Sequence, residues 1–186
     1  MQKIEEKTTQ HWREIVDPTG TTISKVQRYT KKGVYNMKQI EKLAEDINYT
    51  AINLGNLNKL MEYSLIHPVN KQEIEGKVFL KDATKATGSE ISFNSLLPKT
   101  EQPYFHIHYK NEETYIILKG FGFFQVDGKY FDIKEGSVIR AAPDGVRGIR
   151  NDSEETMIYI VIQSKENSLE EYTTNDGKRV PFEPKW

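Results

Sequence analysis

The pattern of apolar and polar positions changes character near residue 65. Before that point polar and charged residues dominate, broken by a few short periodic stretches. "DPTG" at residues 17–20 has the Asp, Pro and Gly placement of a type I turn. The following "TTISKVQRYTKKG" reads either as the return strand of a hairpin or as a short helix, with Ile23, Val26 and Tyr29 on one side and Gly33 ending it. In "NMKQIEKLAEDIN" (residues 36–48), Met37, Ile40, Leu43, Ala44 and Ile47 fall at spacings of three and four. That spacing predicts an amphipathic helix, and Asn36 with Gln39 fits a capping box at its start. "NLNKLMEYSL" (residues 56–65) aligns Leu57, Leu60, Met61 and Leu65 as a second short helix. Both stripes read as packing against a larger body.

From about Lys77 the period shortens to two. "KVFLKDA", "SEISFNSLL", "YFHIHY", "TYIILKG", "FGFFQVDGKYFDI", "SVIRAA" and "ETMIYIVIQS" are β-branched or aromatic runs separated by turn residues. Asp127-Gly128 between two apolar runs is a strong hairpin signal. Strands at such regular spacing, with no helix between them, predict an all-β antiparallel sandwich or barrel. The expected organisation is an N-terminal extension over residues 1–65 with one or two short helices, a barrel over 66–170, and a tail over 171–186 that docks back through Phe182 and Trp186. A domain could equally begin at Met37, with residues 1–36 as an appendage.

The composition narrows the function. Of 186 residues 37% are apolar, enough for a core, and 26 Lys plus Arg against 27 Asp plus Glu leave a formal charge of -1. Nucleic-acid binding needs a basic excess or stripe, so no nucleic-acid partner is expected. A helix-turn-helix is also disfavoured, since "KVQRYTKKG" is basic but short and ends in glycine. No stretch approaches the roughly 18 apolar residues of a membrane span, and residues 1–10 lack the apolar run of a secretory signal. A cytoplasmic protein is the expectation. The absence of cysteine excludes disulfides, thiolate metal ligands and thiol nucleophiles.

The candidate chemistry lies in "PYFHIHYKNEETYIILKG" (residues 103–120). In a strand, residues i and i+2 share a face, so His106 and His108 point the same way, about 7 Å apart. If the chain turns over residues 109–112, Glu113 opens the next strand beside them. Two imidazoles and a carboxylate form a face that suits a borderline divalent ion, Fe, Mn, Ni, Co or Zn, with positions left open for water or a small molecule. Glu112 reads as the solvated neighbour. Tyr115 and Gln125, on adjoining strands, are candidates to orient the ligands or a bound molecule, and Arg140 or Arg147 to hold an anion in bidentate fashion. Tyr115 reads equally as barrel filling and Arg140 as an outward, solvated position. His11 and His67 lack acidic or histidine neighbours at ligand spacing and read as structural.

At these residues the sequence resembles the cupin superfamily. His106, His108, Glu113 and Gly120 match its first motif, with Thr100 at the position of the leading glycine. Gly136, Pro143, Gly145 and Asn151 match its second. The likeness spans roughly residues 76–165. Where that second motif supplies a third histidine, "PDGVRGIRN" has Gly148, or Arg147 if the alignment shifts by one, and neither can ligate a metal. The resemblance implies a double-stranded β-helix with a site in the barrel mouth, a divalent transition metal, a small-molecule ligand and a homodimer. An enzyme of this kind would be of oxygenase or isomerase type. The alternative is a non-catalytic sugar- or metabolite-binding cupin with a degenerate or metal-free site.

Overall fold

The computed structural model describes residues 9–16, 22–30, 38–66 and 71–186, the first two stretches by backbone alone. It divides into two compact units, residues 1–36 and 37–186. In the first, β1 (Thr9–Val16) pairs antiparallel with β2 (Thr22–Thr30), so the hairpin reading of this segment holds and the helical one does not. The intervening turn at 17–20 lies outside the described residues, as do Met37 and His67.

The second unit opens with a correction. The helix expected over residues 36–48 is instead a hairpin, β3 (Glu41–Asp46) against β4 (Tyr49–Asn53). Asp46 opposes Tyr49 across an Ile47-Asn48 connection, and Leu43 is the extra residue of a bulge between Lys42 and Ala44. The apolar stripe never becomes one buried face, since Leu43 is 58% exposed and Ile47 92%. Most helical stability comes from burying such a stripe. Extended pairing instead delivers Ile40 and Ile52 to a core that a helix would present to no partner. The second expected helix is present as a 3₁₀ segment, Leu57–Glu62, kinked at Lys59. Two short strands follow, β5 (Ser64–Ile66) and β6 (Glu73–Glu75).

The barrel is built as expected, from antiparallel strands. β7 (Lys77–Phe79) leads through a short helix, Lys81–Thr84, into β8 (Glu90–Leu96). Then come β9 (Asn111–Lys119), β10 (Phe121–Val126), β11 (Lys129–Lys134), β12 (Val138–Ala141), β13 (Arg147–Asn151) and β14 (Met157–Lys165). They form a five-stranded sheet in the order β12-β9-β14-β8-β7 and a three-stranded sheet in the order β11-β10-β13. Asp127 and Gly128 both take positive φ, 50° and 78°, which matches the right-handed twist of the strands they join. Together the two sheets make a double-stranded β-helix.

Alternation along the strands sorts the side chains into two cores. Tyr115, Ile117, Met157, Tyr159 and Val161 of the larger sheet meet Phe124, Ile133 and Ile149 of the smaller one inside the barrel. On the opposite face of the larger sheet, Val78 and Ile158 pack with Leu54, Leu60 and Tyr63, so part of the N-terminal segment covers that face. The expected docking of the tail is not seen. Phe182 is 82% exposed and Trp186 fully so. Pro181 and Pro184 remove donors that sheet pairing would need, and charged residues interrupt any apolar face. Among the described residues no helix is long and apolar enough to cross a membrane.

Asn151 closes the barrel end. Its Nδ2 donates to the carbonyls of Leu96, Leu97 and Glu155, and its Oδ1 accepts from the backbone N and Oγ of Ser153. The residue is wholly buried. Asn151→Ala is expected to cost about 3 kcal/mol, because it strands several buried polar groups at once. Urea unfolding checks this, through a lower midpoint at an unchanged m-value.

Candidate metal centre

The segment carrying the two histidines, expected as a strand, is held by isolated bridges instead. His106 exchanges backbone hydrogen bonds with Arg147, and the His108 N–H donates to the Pro143 carbonyl. The strand partner that makes this possible is β13, which the composition "RGIRN" concealed. The histidines still face the same way, with ring centroids 5.4 Å apart. Glu113, in β9, meets both: His108 Nε2 lies 3.0 Å from Oε1 and His106 Nε2 lies 3.3 Å from Oε2. One ligand atom from each of the three residues can be chosen so that all lie within 4.8 Å of one another. The expected three-residue face therefore forms.

Its surroundings make Glu113 an anion. Tyr115 Oη donates to Oε2 at 2.6 Å, and Arg147 donates to the same oxygen through Nε at 3.0 Å and Nη2 at 2.9 Å. Burial on its own would raise the carboxyl. Hydrogen bonds from His106, Tyr115 and Arg147, together with the guanidinium charge, override it and hold Glu113 well below the usual carboxylate range. Burial, and next the charge of Glu113, push the Tyr115 phenol up, so it stays a donor. Its ring also fills the barrel, edge-on to Phe124 at 4.8 Å.

Arg147 resolves the open alignment. Its side chain enters the cluster, whereas Gly148 faces outward, where an added Cβ would meet the Phe105 ring at 2.7 Å. The expectation that Arg147 holds an anionic ligand in bidentate fashion is corrected, since that fork is spent on Glu113. The remaining Nη1 donates to the carbonyls of Pro143 and Gly145, and the residue is 0% exposed. Arg140 is exposed and pairs with Glu112 and Glu166, the outward position anticipated for it. Gln125 does not reach the cluster. Phe124 takes the inward place on β10, so Gln125 turns outward to line a cleft of about 390 Å³ with Phe105, Phe123, Tyr130 and Gly148.

One member of the site was missed. Gln163 opposes Glu113 across β14 and β9, and its amide nitrogen lies 3.1 Å from Nδ1 and 2.8 Å from Nε2 of His108. The signal was a polar residue ending the inward row Met157, Tyr159, Val161. Among the described residues His106 Nδ1 is buried with no hydrogen-bond partner. The other nitrogen of that ring, Nε2, is the one turned to Glu113.

The family model described as "Cupin domain" matches residues 94–163. Among solved structures the chain is similar to a cupin protein from Bacteroides fragilis, at 40% identity and a TM-score of 0.55, over 56% of this chain and 89% of that one. It is also similar to a Cupin 2 conserved barrel domain protein from Salinispora arenicola, at 18% identity and a TM-score of 0.40, over 43% of this chain and 66% of that one. A conserved protein with a double-stranded beta-helix domain from Klebsiella pneumoniae aligns at 18% identity and a TM-score of 0.46, over 62% of this chain and 91% of that one. No curated protein matches the chain in a sequence comparison.

Proposed function

This chain belongs to the cupin superfamily, and from that premise we propose that its barrel mouth binds a small polar molecule beside one divalent transition ion held by His106, His108 and Glu113. The observation that carries the reading is the convergence of two imidazole nitrogens on one carboxylate at 3.0 and 3.3 Å. Donors bound at about 2.1 Å around one ion sit at comparable separations. The donor set, two nitrogens and one carboxylate oxygen, suits Fe, Mn, Ni, Co or Zn. Such an ion supplies Lewis acidity, polarising an oxygen of the bound molecule or acidifying a water.

The chain's own residues do the rest. Tyr115 and Arg147 orient the Glu113 carboxylate and keep it charged, as hydrogen-bonded partners of metal-ligating carboxylates do. Both are donors to Glu113, since the phenol is raised and the guanidinium stays protonated. Gln163, by rotating its amide, can turn its oxygen or its nitrogen toward whatever His108 binds.

A second reading, a metal-free binding pocket, is favoured by one contact: Arg147 already neutralises Glu113 without an ion. Elemental analysis after dialysis, followed by titration calorimetry with Mn²⁺ and Zn²⁺, separates the two. The expected result is about one ion per chain, with affinity falling by at least about 100-fold in His106→Ala, since losing a ligand costs no less than losing the partner that orients one. Failure to load any ion on reconstitution would transfer the conclusion to the metal-free pocket.

A further inference from the structure

We propose that Lys77 makes the barrel mouth a site for small organic anions, pairing with a carboxylate or phosphate of the bound molecule while its other polar groups face His106 and His108. The inference deepens the reading of the mouth as a binding site but does not depend on an ion being there.

Register places Lys77 on the inner face. Its neighbour Val78 is buried in the core on the opposite side of the sheet. Lys77 itself opposes Asn94, Asn94 opposes Tyr159, and Tyr159 opposes Ile117. Tyr159 and Ile117 both belong to the barrel interior. The edge of this otherwise apolar face is polar, because Ser92 and Asn94 are buried beside it, with Asn94 Nδ2 donating to Ser92. Three strand intervals separate β7 from β9, roughly 14 Å at the backbone. Register sets Lys77 level with Ile117, four residues along β9 from Glu113, and the Glu113 charge still acts on the Lys77 amine.

The amine has no anion of its own. Among the described residues the Lys77 Nζ forms no ion pair and no hydrogen bond, and it sits 4.8 Å from the centre of the Phe79 ring. Both carboxylates on that face are committed elsewhere. Glu113 is held by Arg147 and Tyr115, and Glu90 accepts from the backbone N–H groups of Leu80 and Lys81. Burial pushes the Lys77 amine below its ordinary value, while the charges of Glu113 and Glu90 pull it back. Lys77 and Arg147 balance Glu113 and Glu90 on this face, but neither carboxylate touches the Lys77 amine. A partly desolvated cation with no carboxylate in contact is costly unless something pairs with it.

The test uses the full chain stripped of metal with EDTA and, separately, reloaded with Mn²⁺. Calorimetry compares succinate, inorganic phosphate and the neutral succinamide. An anion is expected to bind at least about 10-fold tighter than succinamide in stripped protein, with the preference between succinate and phosphate identifying the group recognised. Lys77→Met should lose roughly 10- to 100-fold of that affinity and Lys77→Arg should keep most of it, with neither variant melting lower than wild type. Because the anion series is read in stripped protein and ion loading is read separately, failure of one is distinguishable from failure of the other. Anion affinity unchanged in Lys77→Met, succinamide binding as well as succinate, or no anion binding in either form of the protein would overturn it.

Discussion

Glu113→Gln is expected to lower the unfolding free energy by about 3–5 kcal/mol at neutral pH, because it strips the counter-charge from a wholly buried guanidinium. The substitution keeps the shape and removes the anion. Oε2 of Glu113 accepts from Tyr115 and twice from Arg147. A glutamine amide placed there must either turn its own donors toward those donors or satisfy them with one neutral oxygen. The side chain of Glu113 is only 10% exposed, so water cannot make up the loss. The carboxyl is held well below the usual range in the folded state. A group whose folded pKa is depressed contributes stability above its unfolded value, near 4.3, and loses it as the pH falls toward the folded value. The gap between wild type and Glu113→Gln should therefore be complete at pH 7 and narrow progressively below about pH 4.3. Urea unfolding of both proteins across that range measures it. A gap below about 1 kcal/mol at pH 7, or one that stays constant on acidification, would show that Glu113 is not the anion described.

How much of this was legible beforehand follows from the range of each interaction. The period-two runs and Asp127-Gly128 announce the strands because alternation and turn conformation are local properties. His106, His108 and Glu113 were legible for the same reason, standing close together in the chain across one short turn. The hairpin over residues 41–53 was not. Its apolar positions satisfy helical spacing, and only the pairing with Tyr49–Asn53 and the packing of Ile40 and Ile52 on the outer core decide between the two. β13 was hidden for a related reason. "RGIRN" has little strand propensity, and it is extended because β10 and the segment around residues 101–106 flank it. The direction of Gln125 depended on which residue of β10 faces inward, a one-residue choice that reverses every side chain. Lys77 stands seventeen residues before Asn94 and far from the histidines in the chain, and only the sheet order brings it to the same face.

The same buried pair sets up an effect of opposite sign on ion binding. Arg147→Gln is expected to tighten Mn²⁺ or Zn²⁺ binding by at least about 10-fold while lowering the melting temperature. In wild type, an ion seated on His106, His108 and Glu113 shares its carboxylate with a fixed cation. Two positive charges against one at about 5 Å, with an effective dielectric near 20, repel by about 7 kcal/mol. Relaxation of the site will reduce that figure, yet a fifth of it corresponds to about a factor of ten. Glutamine removes the charge and leaves an amide donor that can still reach Oε2, so the carboxylate keeps its orientation. The folded state meanwhile loses a bond network of two contacts to Glu113 and two to the carbonyls of Pro143 and Gly145, which accounts for the lower melting temperature. If Arg147 served chiefly to aim Glu113 at the ion, the sign would reverse and the variant would bind more weakly, as loss of an orienting partner usually dictates. Calorimetric titration of both proteins at one pH and ionic strength, with unfolding followed on the same samples, tells the two roles apart. Weaker binding in Arg147→Gln assigns the guanidinium to aiming, and tighter binding assigns it to competing with the ion for one carboxylate.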